Sequence, residues 1–451
     1  MTAGSQLLGP LFGTAEAEAV FSDRGRLQGM LDFEAALARA QARLAIIPAA
    51  AAPAIAAKAR AELFDLEELA RATAIAGNPA IPTVKRLTAL VAGDDPEAAR
   101  FVHWGATSQD AMDTGLVLQL RAYLGLLEPA LARLAVALAR LAETHRATPM
   151  VGRTWMQHAL PITFGLKAAG WLDAVQRHRQ RLRELEPRLL VVQLGGAAGT
   201  LASLGDAGLA VTEALGAELE LAVPDLPWHG ARDRVAELAA CLGLITGTLG
   251  KMARNLSLLM QTEVGEAFEP AGEGRGGSST MPHKRNPVAA AAVLAAAVRA
   301  PNLVATMLAA MVQEHERGLG GWHAEWETLP ELAVRTTGAL RWTVDTIESL
   351  EVDAARMRAN LELTRGLIMA EAVQMALGAK IGRQAAHGLL ERASKRALAE
   401  GLHLKEVLAA EPEVTAQLAP AELDRLLDPL GYTGVAGQLI DRALAAHRRS
   451  R

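Results

Sequence analysis

The chain has 451 residues, of which 51% are hydrophobic, 21% charged and only 4% aromatic, and its formal net charge is −4. Such a length holds a sizeable core and roughly two to four domains, while the mildly acidic balance excludes a broad basic surface for nucleic acid or anionic membrane. One cysteine, Cys241, excludes an internal disulfide and fits a reducing compartment, and its apolar neighbours ELAACLGLITG read as packing rather than as the setting of a nucleophile.

The N-terminus, MTAGSQLLGPLFG, has no basic stretch followed by a long apolar run, so no signal peptide is expected. Up to residue 105 the chain reads as short helices broken at Pro48, Pro53, GNPAIP (77–82) and GDDP (93–96). Long helical rods follow. The first covers 110–146 and is interrupted at Pro129; the second covers 153–186 with a kink at Pro161; the third covers 231–266. Two more cover 284–313 and 325–350. At about 1.5 Å per residue each spans roughly 40–50 Å, the scale of a long helical bundle. Basic runs such as HRQRLRELEPR (178–188) alternate with acids and read as a solvated face.

In the third rod Val235, Leu238, Ala239, Leu242, Ile245, Leu249, Met252, Leu256 and Leu259 recur at three- and four-residue steps. Its polar side offers only Arg232, Arg234, Glu237, Lys251, Arg254 and Asn255. An apolar stripe that wide predicts contact with other subunits as well as a monomer core. The most apolar window, VAAAAVLAAAV (288–298), is about half a membrane span and is closed by Arg299 and Pro301, so a soluble, cytoplasmic protein is expected. From about Ala355 the helices shorten again, with loops at Pro412, Pro420 and GYTG (431–434). Strand signals are nearly absent. The expectation is an all-α chain in three parts: an N-terminal helical domain (1–108), a central long-helix bundle (109–355) and a C-terminal helical domain (356–451).

Three polar clusters lie at or near rod ends. In RFVHWGATSQDAMDT (100–114), Thr107 and Asp110 fit a capping box. The same helix start suits a carboxylate, to which His103, Thr107 and Ser108 add donors. In VGRTWMQHALP (151–161), Arg153, Thr154, Gln157 and His158 crowd a predicted helix start, where Thr154 and His158 share a face; the plainer reading is a Thr154 cap with surface neighbours. In GSSTMPHKRNP (277–287), the preceding Gly272, Gly274, Gly276 and Gly277 permit mobility, and Pro282 and Pro287 restrict it. Ser278 or Ser279 is a candidate acid/base there, and Lys284 and Asn286 are candidates to bind an anion and steady developing negative charge. Against this stands a basic loop joining two helices; loops of this length in compact folds are often functional. No metal site is expected, since His315 and His323 of EHERGLGGWH lie eight apart, and no phosphate loop, dinucleotide fingerprint or nucleophile elbow is present.

GSSTMPHKRNP resembles the G-S-S-x-M-P-x-K-x-N signature of the fumarase/aspartase superfamily, and the other two clusters resemble its two other shared regions, in order. The resemblance covers essentially the whole chain. It implies an all-α, three-domain subunit, a homotetramer with active sites shared between subunits, and elimination or addition beside a carboxylate without cofactor or metal. Carried over by position, Ser278 matches the catalytic acid/base, Lys284 and Asn286 the carboxylate binders, Thr107 and Ser108 a substrate-binding pair, His103 a histidine of that region in adenylosuccinate lyases, and Thr154 and Gln157 binding positions of the second region.

Two departures follow from the same comparison. Many members read G-R-T-H in the second region, and this chain has Trp155 for that histidine; many carry a glutamate seven residues after the signature lysine, and this chain has Ala291. Both halves of an acid pair are absent together. Water activation or expulsion of a poor nitrogen leaving group gains from a general acid. Lactone formation is less demanding, because its nucleophile is a carboxylate with pKa about 4 that is already ionised. This points to the superfamily's lactone-forming cycloisomerase branch, which FSDRGRLQGMLDFEAALARAQARLAIIP, QEHERGLGGWHAEW and LDPLGYTGVAGQLIDRAL also resemble. The expected substrate is a small tricarboxylate, a carboxylated muconate, held by Thr107, Ser108, Thr154, Gln157, Lys284, Asn286 and Arg317. His103 and His158 are candidates to shuttle its proton, and Trp155 to shape the pocket. Adenylosuccinate lyase-like elimination of fumarate and a non-catalytic helical assembly protein remain alternatives.

Overall fold

The computed structural model describes residues 6–272, 276–277, 280–281 and 283–449. Five long helices dominate: α2 (Ser108–Thr144), α3 (Phe164–Leu189), α4 (Asp233–Leu259), α5 (Val288–Ala309) and α6 (Gly321–Glu348), preceded by the 21-residue α1 (Asp23–Arg43). Among the described residues the strands form two antiparallel two-stranded units, β1 (Pro149–Thr154) with β2 (Gln157–Thr163) and β3 (Ala267–Phe268) with β4 (Glu351–Val352), beside one isolated parallel bridge between Val191 and Ala222. The all-α expectation holds apart from these.

The chain divides into two compact units. The first takes residues up to Ala132, His178–Gly250 and Ala292–Trp342. One of its apolar clusters gathers Leu27, Leu31, Ile55 and Leu87; another gathers Phe33, Leu37, Val192, Leu215 and Trp228. The second unit takes Arg133–Arg177, Lys251–Ala291 and the chain from Thr343 onward. Its clusters centre on Val151, Met369, Val373, Leu389 and Leu404, and on Met150, Phe164, Leu259 and Met357.

Four expectations are corrected. Pro129 does not interrupt the first rod, which runs through it to Thr144; Leu127, Leu131 and Leu134 are fully buried on either side, and this packing outweighs the missing backbone donor. The apolar stretch is not limited to 288–298 by Arg299 and Pro301; the helix expected over 284–313 forms as Val288–Ala309 and is apolar along that length. α2, α4 and α5 are each long and apolar enough, by length and composition, to cross a membrane. Arg232 does not belong to the polar side of the third rod. It is 1% exposed and grips Asp113 at 2.8 and 3.1 Å and Glu325 at 2.6–3.2 Å.

The fourth correction concerns the second rod, which does not begin at 153. Residues 149–163 form the β1–β2 hairpin, and α3 starts only at Phe164. A proline at 161 inside a helix would lose a hydrogen bond and meet the carbonyl one turn back; in a two-stranded hairpin it sits opposite Val151 at no such cost. Cys241 is buried as expected, and burial pushes its thiol up to about 11.

Candidate active site

The first cluster forms a corner in the first unit. A turn over 103–106 delivers the chain to the start of α2, and Gly105 sits at φ 75° with a Leu204 methyl 2.5 Å from where a Cβ would stand. Only glycine fits both demands. Thr107 N–H donates to Asp110 Oδ2 at 2.9 Å, which is one half of the capping box. The other half is absent, because the Thr107 hydroxyl is engaged elsewhere. Arg317 Nη1 donates to Thr107 Oγ1 at 2.7 Å, and its Nη2 donates to Ser108 Oγ at 3.2 Å. Both hydroxyl oxygens therefore accept from one guanidinium, and each O–H proton is left to be donated outward. This gives a cation and two oriented hydroxyls at a helix N-terminus, a combination suited to a carboxylate.

Asp110 fixes that corner from behind. Its carboxylate is fully buried and also accepts from Gly195 N at 2.9 Å and Gly196 N at 3.0 Å, and it lies 2.7 Å from His229 Nε2. His103 has φ 59°, and its Nδ1 is 2.6 Å from Glu34 Oε1. Burial pulls its basicity down, but the Glu34 charge and hydrogen bond, with Asp110 nearby, push further the other way. The imidazole ends above its ordinary value.

The second cluster occupies the hairpin in the second unit. Thr154 pairs with Gln157 and Arg153 with His158. Thr154 and Gln157 are thus cross-strand neighbours on one face, while His158 joins Arg153 on the other. The expected face shared by Thr154 and His158 does not exist, because the period is two and not 3.6. A bulge between Val151 and Arg153 carries Gly152, where a Cβ would lie 2.7 Å from Leu160 O. The two-residue tip is Trp155 (φ 52°) and Met156 (φ 66°), both in the left-handed region that side chains avoid. Trp155 is 97% exposed.

Arg153 donates through Nη1 and Nη2 to the buried carboxylate of Glu266 at 2.8 and 2.7 Å, and Asn360 Nδ2 donates to the same group at 2.8 Å. His158 Nδ1 is buried without a hydrogen-bond partner; burial, then Arg153, lowers that imidazole's pKa. Lys167, one turn into α3, is lowered by burial first and then by Lys251 and Arg153.

The third cluster precedes α5. Ser278 and Ser279 lie outside the described residues. Lys284 is exposed and donates its backbone N–H to Met281 O at 3.1 Å; Asn286 N donates to Gly276 O at 2.8 Å. Gly276 has φ 69°, with Asn286 O 2.7 Å from where a Cβ would stand. Arg285 holds Glu351 at 2.9 and 3.0 Å and donates to Glu269 O at 2.6 Å. Glu269 Oε2 and Oε1 accept from Ala289 N and Ala290 N at 2.9 and 2.7 Å. The start of α5 is therefore already occupied by a protein carboxylate. Glu266 and Glu269, three residues apart, link the hairpin to the segment before α5.

Of the expected site residues, the first unit brings together Thr107, Ser108 and Arg317, with His103 at the turn that leads into them. Thr154, Gln157, His158, Lys284 and Asn286 belong to the second unit. Glu34, Glu266, Glu269 and Lys167 were missed. Glu34 had a signal, an acid set between Phe33 and Ala35–Leu37 in LDFEAAL, whereas Glu266 meets partners far away in sequence.

Comparison with known proteins agrees with this architecture. The family described as Lyase matches residues 14–301, and the family described as Adenylosuccinate lyase C-terminus matches 366–443. The 3-carboxy-cis,cis-muconate cycloisomerase of Pseudomonas aeruginosa is 61% identical over 98% of this chain and 96% of its own length. The crystal structure of the 3-carboxy-cis,cis-muconate lactonizing enzyme of Pseudomonas putida superposes with a TM-score of 0.95 at 56% identity, covering 99% of both chains. The nitrosuccinate lyase of Streptomyces davaonensis is 47% identical over 99% of this chain and 96% of its own. The chain belongs to the lyase family of the fumarase/aspartase superfamily.

Proposed function

We propose that the chain is a lactone-forming cycloisomerase that converts 3-carboxy-cis,cis-muconate to a carboxymuconolactone in protocatechuate (β-ketoadipate) catabolism. Full-length likeness to enzymes of that name is the observation that carries this reading. A carboxylate oxygen of the substrate attacks the conjugated diene. One C–O bond forms, the π electrons move onto the neighbouring carbon as an enolate of its carboxylate, and a proton then closes the new C–H bond. The trianion takes up one proton and becomes a dianionic lactone, so no redox partner is required.

Ser278 is the proton carrier in this scheme, on the strength of its position in the signature. Lys284 and Asn286 steady the enolate. Arg317 with Thr107 and Ser108 holds one carboxylate, and Thr154 and Gln157, neighbours on the hairpin, hold another. Held in near-attack geometry, nucleophile and alkene react without an external base. Trp155 and Ala291 are both exposed in the chain, and neither offers a proton. That agrees with a reaction whose leaving or attacking oxygen needs none.

The working form proposed is a cytoplasmic homotetramer of three-domain subunits, with each active site built from more than one subunit. α2, α4 and α5 are read as helices of its bundle, in the fold of a soluble enzyme. Purified protein should remove the ultraviolet absorbance of 3-carboxy-cis,cis-muconate and leave adenylosuccinate and nitrosuccinate untouched. Turnover of either of those without turnover of the muconate would overturn the reading.

A further inference from the structure

Glu34 is an acid in a place where packing alone asks for a hydrocarbon. It lies on the inner face of α1, between Phe33 and Ala36–Leu37 of one apolar cluster and Leu31 and Ala35 of another, and is 2% exposed. A buried carboxylate without a counter-charge is strongly disfavoured, and isosteric neutral side chains are generally tolerated better at such positions. Its one partner among the described residues is His103 Nδ1 at 2.6 Å; Glu34 Oε2 is buried and has none.

The charge is therefore balanced through a single contact. That contact reaches the residue which opens the turn into Thr107 and Ser108. The turn is held rigidly: Gln41, two turns along α1, donates to Trp104 O at 2.7 Å, and His103 takes the left-handed conformation that brings its ring back toward α1. The charged groups facing the ring are Glu34 from α1 and Asp110 from α2; Arg317 lies beyond, on the two hydroxyls. Both near groups are acids, which favours a cation between them.

We propose that Glu34 is a positioning residue of the active site, which holds His103 as an imidazolium with Nδ1–H donated to Glu34 and Nε2–H left to donate to a substrate carboxylate. His103 then acts as a fixed positive charge beside Arg317 and not as a base. The proposal rests on the reading above for its substrate, and on the geometry alone for the ion pair. The raised basicity of the ring agrees with it: the imidazolium is present below the raised value and is lost as the pH climbs through it.

Histidine C2–H exchange followed by mass spectrometry reads each ring's titration in the intact protein with no substrate present. His103 should titrate clearly above the ordinary value of about 6.5. In Glu34→Gln, which keeps an acceptor and removes the charge, its midpoint should fall by about one pH unit or more. With 3-carboxy-cis,cis-muconate, kcat/KM of that variant should drop about tenfold to a hundredfold at pH 8 and less than about threefold at pH 6. Glu34→Asp should restore part of both effects. A purely structural role would lower activity equally at every pH. The same His103 midpoint in Glu34→Gln and wild type overturns the proposal. So does a wild-type midpoint at or below the ordinary value, which decides the matter even if the variant fails to fold. Wild-type protein that turns over no muconate sinks the functional reading and leaves the exchange measurement as the judge of the ion pair.

Discussion

Arg317 places its two terminal nitrogens on two different hydroxyls, 2.7 Å from Thr107 and 3.2 Å from Ser108. A planar fork can do this and a single ammonium cannot, so Arg317→Lys is not conservative here. The lysine would orient one hydroxyl and leave the other to rotate. KM for the muconate should rise at least about tenfold with a smaller change in kcat, and far-ultraviolet circular dichroism should not change. An unaltered KM would remove Arg317 from the carboxylate site. At this scale much of the site was legible, because short motifs carried it: Thr107, Ser108 and Asp110 sit in one run, and HER places Arg317. What stayed hidden were the partners. Nothing near Glu34 in sequence points to His103, and nothing near Glu266 points to Arg153, since 69 and 113 residues separate these pairs.

Helices were the easiest elements to read, and their ends the hardest. All five rods exist, three of them within about four residues of the pattern; the second begins eleven residues late, at Phe164 and not at 153, and the third ends seven residues early, at Leu259 and not at 266. Its hairpin was hidden because the turn lacks the usual glycine or asparagine: Trp155 and Met156 take positive φ despite their side chains. Arg232 was misread for a related reason. It falls just before α4, where the helical period no longer says which way a side chain points. In the structure it ties three elements together: Asp113 on α2, its own position before α4, and Glu325 on α6. Trp322 Nε1 and Gln109 Nε2 donate to Asp113 at 3.1 Å, so the network is well hydrogen-bonded as well as charged. Removing its only cation leaves two buried carboxylates facing each other. Arg232→Met should therefore cost about 3–5 kcal/mol. The check is the urea midpoint at fixed protein concentration. A loss below about 1 kcal/mol, the scale of a surface ion pair, would mean that the network does not bind these helices.

The whole molecule presents one face that a lone subunit does not explain. Along α5, Ala291, Ala295, Val298, Asn302, Ala305 and Ala309 are all exposed and follow one another at steps of three and four. Val298 is 72% exposed, and on α4 Leu244 is 53% exposed. The nine stripe residues of the third rod are all buried within the chain, so its width is used by the monomer core; the outward Leu244 is not one of them and is left for the proposed second copy to cover. Small side chains on a helix allow another helix to approach closely, and a row of them in water gains nothing for one chain alone. In the proposed tetramer such a row is where α5 meets a second copy. Ala291 then has a reason to be small, since a glutamate at the start of this row would have to be desolvated with no histidine to pair with. Val298→Asp puts a charge in the middle of the row. It should leave the helix content intact, because the position is solvent-facing in the subunit, yet shift sedimentation from tetramer to smaller species. Turnover should fall with the tetramer if, as proposed, each site is built from more than one subunit. A Val298→Asp protein that sediments as a tetramer with wild-type turnover would show that α5 is not the contact, and the exposed row would then need another occupant.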